Sequence, residues 1–201
     1  MVDANRHNRI SSLVRAARIR RAKRRGYEVM DMRDVIGTVV GAVVLAVLLR
    51  LFVLGSYIVP TESMYPTIKE QDRVIGEKVS LHWRTPQPGD VVTFDDPDDP
   101  DTTLIKRVIA TAGQVVDIVD EKVVVDGVVL DEPYTHDQPN LVDVDLAAVT
   151  FPYTVPDGCI WVMGDNRTHS FDSRYFGPVS LDSVDARALF VWWPIGEAHL
   201  L

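Results

Sequence analysis

Ser63 lies between two prolines in Pro60-Thr61-Glu62-Ser63-Met64-Tyr65-Pro66-Thr67. Proline fixes its own φ and restricts the residue before it, so an extended, rigid presentation of the hydroxyl is expected, as a nucleophile requires. Taken alone, the segment is equally a plain turn. A second segment with chemical potential is Leu104-Ile105-Lys106-Arg107-Val108-Ile109, a β-type run carrying two adjacent cations. Neighbours on a strand face opposite sides. If Arg107 meets solvent, Lys106 points inward with Leu104 and Val108. Burial penalises the ammonium form and can lower a lysine pKa by several units, and a neutral amine is a competent base toward a serine hydroxyl. The same pattern fits a lysine that snorkels to the surface, and spacing alone leaves both readings open.

A third segment, Gly164-Asp165-Asn166-Arg167-Thr168-His169-Ser170-Phe171-Asp172-Ser173-Arg174-Tyr175-Phe176-Gly177, is dense in hydrogen-bonding side chains and follows an apolar strand-like run. Such density in a loop suggests a functional wall. Asn166-Arg167-Thr168 matches a glycosylation sequon, which within this cluster reads as coincidence. A Ser-His-Asp triad would have to draw on His169, with Asp165 or Asp172. The other histidines, His7, His82, His136 and His199, form no metal-ligand spacing with it or with one another. Cys159 is the single cysteine, so disulfides within the chain and multi-cysteine zinc patterns are excluded. Its place in Asp157-Gly158-Cys159-Ile160-Trp161 predicts inert packing.

The elements that would position these residues read as one apolar helix followed by β structure. Residues 35–59 are apolar apart from Arg50 and a few small polar groups. The run has no polar face, which disfavours a core helix, and with Arg50 snorkelling it is long enough for a membrane anchor. No clean small-x-small cleavage site follows it, so it reads as retained rather than removed. Beyond it, strands are expected at Arg73–Val79, Val91–Phe94, Leu104–Ala110, Val115–Val119, Lys122–Leu130, Cys159–Met163 and Ala186–Trp193, punctuated by Pro, Gly and Asp turns. Asp126-Gly127 inside the Val123–Leu130 stretch suits a tight hairpin turn. Residues 131–156, polar and Pro-containing, look like an excursion outside the main sheet.

The net charge of −8 conceals an asymmetry. Residues 1–34 carry +6 and residues 51–201 carry −15. A basic head could bind nucleic acid. Because it leads directly into the apolar run, it instead predicts topology, with positive charge retained on the cytoplasmic side. Nucleic acid is therefore not an expected partner.

Taken together and in order, these segments resemble the type I signal peptidase family, the Ser/Lys endopeptidases that remove signal peptides. The resemblance rests on the anchor ending in Arg50-Leu51-Phe52, on residues 60–67, and on Pro88-Gly89-Asp90-Val91-Val92-Thr93-Phe94. It continues through Ile105–Ile109 with Gly113 and through the Gly164–Gly177 cluster. It implies a mostly β, antiparallel catalytic domain with a smaller β extension at about 117–158, preceded by one transmembrane helix. The corresponding parts are a basic cytoplasmic tail at 1–34, the anchor at 35–59 and an extracytoplasmic domain at 60–201. By the same resemblance Ser63 is the nucleophile and Lys106, neutral at rest, the general base. Thr61 and the Ser63 N–H form the oxyanion hole, and Ser170 orients the amine. Asp172, Ser173 and Arg174 brace that wall. Tyr57, Val59, Met64, Ile68, Leu104 and Ile105 line pockets for Ala-x-Ala, with substrate extended beside Leu104–Lys106. The implied partners are preproteins, the bilayer and a nearby secretion translocon; no cofactor or metal is implied. The chain departs from the family pattern at Glu62, Ala110, Ala112, Gln114 and His169. Two other readings are a self-cleaving repressor, against which the anchor argues, and a catalytically silent binding protein, against which the Ser63, Lys106 and Ser170 set argues.

Overall fold

The computed structural model describes residues 31–201 apart from 144 and 148. Most of the basic 1–34 segment, with its Arg15–Arg25 run, therefore lies outside the described residues. The chain divides into two compact units, Met1–Leu48 and Leu49–Leu201.

Helix α1 spans Met32–Phe52, with Asp34 in its first turn and Arg50 in its last, each charge matching the helix dipole. Thr38 Oγ1 donates to the Asp34 carbonyl, 2.8 Å away. Twenty-one residues rise about 31 Å, close to the roughly 30 Å thickness of a hydrocarbon core. Its side chains from Val35 to Leu49 are exposed all round, and Met32–Arg50 is apolar enough to cross a membrane. The helix does not reach residue 59. It stops at Phe52, and Leu54–Ile58 form strand β1. Gly55 and Ser56 are poorer helix formers than the residues before them, and the strand satisfies its backbone groups by pairing with β2.

The second unit is antiparallel throughout its described pairings. Its further strands are β2 (Arg73–Glu77), β3 (Val91–Asp95), β4 (Thr103–Thr111), β5 (Val115–Val119), β6 (Lys122–Val125) and β7 (Val128–Val129). They continue with β8 (Tyr153–Thr154), β9 (Cys159–Met163), β10 (Val179–Ser180), β11 (Val184–Trp193) and β12 (His199–Leu200). The large sheet runs β1-β2-β11-β3-β4-β9-β10, with β12 on β11; the small sheet runs β7-β6-β5-β8. The mostly β architecture with a smaller extension is thus as expected. Asp126 and Gly127, both at positive φ, make the tight turn between β6 and β7 that Asp-Gly favours.

One core cluster joins Val59, Met64, Ile68, Val74, Val91, Ile105, Ala188 and Val191 beneath the segment that carries Ser63. A second, centred on Trp161, Ile109, Val116 and Val123, ties the two sheets together, and Cys159 packs at its margin. Strand β4 joins the two sheets' cores and carries Lys106. It pairs with β3 along Thr103–Arg107 but with β9 only from Arg107 to Thr111. Among the described residues, one edge of Thr103–Lys106 therefore has no strand partner.

Candidate active site

Ser63 sits in a run of turns between β1 and β2, not on the extended stretch that its flanking prolines suggested. The Tyr65 N–H donates to the Glu62 carbonyl and the Ile68 N–H to the Met64 carbonyl, curling the chain so that Met64 and Ile68 drop into the core, fully buried. These two side chains anchor the turn from below. They are absent from the lining of the neighbouring cleft, where they were expected. With its backbone so held, Ser63 is 6% exposed. Among the described residues its N–H donates to no backbone carbonyl. The Thr61 hydroxyl donates to Ser63 Oγ at 3.3 Å.

Lys106 Nζ lies 2.7 Å from Ser63 Oγ. The lysine is 3% exposed, and its amine titrates at about 8 instead of 10.5. Burial is the main cause; Asp172, Asp96 and Asp165 pull the value back up while Arg174 pushes it down. The shift favours the neutral amine that a general base must present. Of the two readings that spacing left open, the inward lysine is the one observed. Arg107, however, does not face solvent. It is 7% exposed, because Asp165 and Tyr134 cover the side of the strand opposite Lys106.

That cover is the part of the site that the sequence reading missed. Asp165 accepts two bonds from Arg107, at 2.8 and 2.7 Å, and one from Thr67 Oγ1 at 2.6 Å. Asn166 donates its backbone N–H to the Ser63 carbonyl and its side-chain amide to the Glu62 carbonyl. Two consecutive residues of the polar loop thus hold the nucleophile turn and the base's own strand in one hydrogen-bonded frame. The Arg107 guanidinium also stacks 4.2 Å from the Tyr134 ring centroid. Arg167, 2% exposed, bonds the Gly164 carbonyl, Glu132 and Asn140, so residues of the extension side support the same loop. The residue type that could have revealed this frame is a carboxylate, Asp165, three residues from the sequon threonine. With Asn166 buried and bonded, its sequon is coincidental.

Asp172 and Arg174 form a fully buried ion pair, with Arg174 Nε 2.8 Å from Asp172 Oδ1. Asp172 also accepts the Gly164 N–H, and Arg174 donates to the carbonyls of Leu141, Arg167 and Ser170. Asp172 caps the short helix α2 (Ser173–Phe176), and Ser173 Oγ accepts the Val162 N–H of β9. Ser170 is buried, but its hydroxyl has no partner among the described residues; a bond to Lys106 is not formed here. Its place is fixed by Gly164, where an added Cβ would lie 2.3 Å from both Ser170 Oγ and the Ser63 carbonyl oxygen. That contact forces residue 164 to be glycine.

Beside the pair, an open cleft of about 350 Å³ is lined by Tyr57, Val59, Leu104 and Ile105, with Ser56, Ile58, Pro60, Thr93 and Thr103. It lies between β1 and the part of β4 whose edge is unpartnered. His169 is exposed, its ring beside Thr168 Oγ1, and takes no place next to Ser63. Among the described residues no group of three His, Cys, Asp or Glu side chains is arranged to hold a metal ion. A buried hydroxyl against a lysine amine of lowered pKa, backed by two hydrogen-bond donors, can attack a carbonyl and stabilise the oxyanion that results.

The model of the family described as "Signal peptidase, peptidase S26" matches residues 32–193. A Synechocystis protein named "Probable signal peptidase I-1" is 41% identical over 160 residues, covering 76% of this chain and 78% of its own. Signal peptidase I of Leptolyngbya laminosa is 34% identical over 163 residues, covering 78% and 77%. Among solved structures, a signal peptidase I from Enterococcus faecalis is 32% identical, with a TM-score of 0.45 over 52% of this chain and 97% of that one.

Proposed function

This chain belongs to the signal peptidase family, peptidase S26, and from that premise we propose that Ser63 and Lys106 are its catalytic pair. Family membership makes it a serine endopeptidase that removes signal peptides from preproteins. The observation that carries the finer reading is the 2.7 Å contact between Lys106 Nζ and Ser63 Oγ, with both groups buried.

Ser63 Oγ attacks the scissile carbonyl carbon while neutral Lys106 takes its proton. The developing oxyanion accepts bonds from the Ser63 N–H and the Thr61 hydroxyl, donors typically worth about 3–4 kcal/mol each at such a site. Collapse breaks the C–N bond, and the Lys106 ammonium returns the proton to the leaving amine. Water, deprotonated by the same amine, then cleaves the Ser63 ester. A docked substrate covers the cleft and dries the amine further, which drives its pKa below the resting value. Ser170, whose hydroxyl has no partner among the described residues, is near enough to the Gly164–Ser63 seam to take up the amine as it moves. Asp172, Ser173 and Arg174 hold that hydroxyl's backbone.

The preprotein lies extended along the open edge of Thr103–Lys106, adding a strand to the sheet. A small cleft accepts the alanine-sized residues of an Ala-x-Ala motif and excludes larger ones by steric conflict. Helix α1 spans the bilayer once. The positive segment before it stays cytoplasmic, and residues 60–201 lie on the outer side, near the translocon that delivers the substrate.

Cleavage of a preprotein by the full chain in detergent tests the catalytic pair. Ser63→Ala, Lys106→Ala and Lys106→Arg should each abolish processing, the last because a guanidinium keeps its proton. Turnover retained in either alanine variant would refute the assignment.

A further inference from the structure

Tyr57 does more than border the cleft. Its ring lies across a trough formed by Gly55 on β1 and Gly76 on β2, which face each other in register. A Cβ at Gly55 would come within 2.3 Å of Tyr57 Oη and 2.6 Å of the ring, and one at Gly76 within 3.1 Å of Cε2. Only a strand pair stripped of side chains at this level lets the ring lie so low. At its far end the phenol donates to Asp185 Oδ2 at 2.5 Å, and the other oxygen of Asp185 accepts from Lys78 Nζ at 2.5 Å. Burial and then the bond to Asp185 raise the phenol pKa, so the group remains a donor. The bonds from Lys78 and Tyr57 outweigh the burial that opposes them and hold the Asp185 carboxyl below its ordinary range, so it remains an acceptor. Tyr57 also forms part of the cleft wall with Thr93, Leu104 and Ile105.

We propose that the Tyr57–Asp185–Lys78 bridge, laid over the Gly55–Gly76 trough, sets the depth of one substrate pocket and so decides how small the residue received there must be. This rests on the reading of the cleft as the substrate groove. A tyrosine held at one end only by its Cα could swing about χ1 and open the pocket; tied at its hydroxyl across three strands, it cannot. Asp185 and Lys78 are positioning residues that act through the ring.

The test uses the full chain in detergent and peptide substrates that carry alanine or leucine, in turn, at each of the two small positions before the cut. The measured quantity is the ratio of kcat/KM for alanine over leucine within one enzyme preparation, so any loss of folded enzyme cancels. Tyr57→Phe and Asp185→Ala should each lower the ratio about tenfold, the lower end of what hydrophobic pockets achieve against an extra methylene. The loss should appear at one position only, and the double variant should be no worse than either single. An unchanged ratio at both positions, with the two rates falling together, would reduce the bridge to a structural contact and overturn the inference. Additive effects, or an effect from Asp185→Ala without one from Tyr57→Phe, would overturn it too. If wild type itself shows no preference for alanine at either position, the groove reading fails and the inference with it. Loss of Ser63→Ala activity alongside that result would leave the catalytic pair standing.

Discussion

Replacing Lys106 by methionine should abolish cleavage and stabilise the fold together. The lysine amine titrates at about 8 in the native chain against an ordinary 10.5. Above 10.5 both folded and unfolded chains hold it neutral. Between the two values the unfolded chain binds more protons, so native stability falls as the pH drops through that window, and below 8 the full penalty of a buried ammonium is present. A gap of about 2.5 pH units at about 1.4 kcal/mol per unit amounts to about 3 kcal/mol. Methionine fills a similar slot without charge and forfeits the bond to Ser63 Oγ, worth about 1 kcal/mol. The variant should therefore be more stable by about 2 kcal/mol at pH 7, or about 4–8 °C in Tm for a domain of this size. Above pH 10.5 the advantage should vanish. Urea unfolding of the full chain in detergent, followed through the fluorescence of fully buried Trp161, reads both conditions. A methionine variant no more stable than wild type at pH 7, or a difference independent of pH, would mean that the amine carries no burial penalty and would refute the reasoning.

Three further outcomes are expected. Cleavage of a preprotein by wild type should rise with pH to half its maximum at or below about 8, since neutral Lys106 is the active form; a flat profile from pH 6 to 9 would contradict a lysine base. Gly164→Ala should lower kcat by at least about a hundredfold, because its Cβ meets the Ser63 carbonyl oxygen and Ser170 Oγ at 2.3 Å and a misplacement of about 1 Å at a reacting group has that effect. Single-turnover kinetics would separate this from weakened binding. For exposed His169, substitution by alanine should leave kcat/KM within about twofold of wild type, and loss of activity would restore the histidine to the mechanism.

Much of this molecule is written in local pattern. Alternating Val and Ile runs bounded by Pro, Gly and Asp determined β2, β3, β4, β5, β9 and β11 within a residue or two, because strand periodicity and turn chemistry act over short stretches. The apolar run located α1 but not its end, which falls at Phe52 instead of residue 59, and the order of the three polar segments pointed to Ser63 and Lys106. Tertiary structure decided what depends on remote partners. Leu54–Ile58 directly follows the apolar helix and becomes a strand because β2 supplies its hydrogen bonds. Arg107 is buried because Asp165, remote in the chain, meets its guanidinium; without that partner its charge would have drawn it to water. Met64 and Ile68 leave the cleft for the core because the turn around Ser63 curls beneath itself. Local sequence sets which conformations a segment can adopt. Burial of charge and closure of long loops are settled only when distant segments meet.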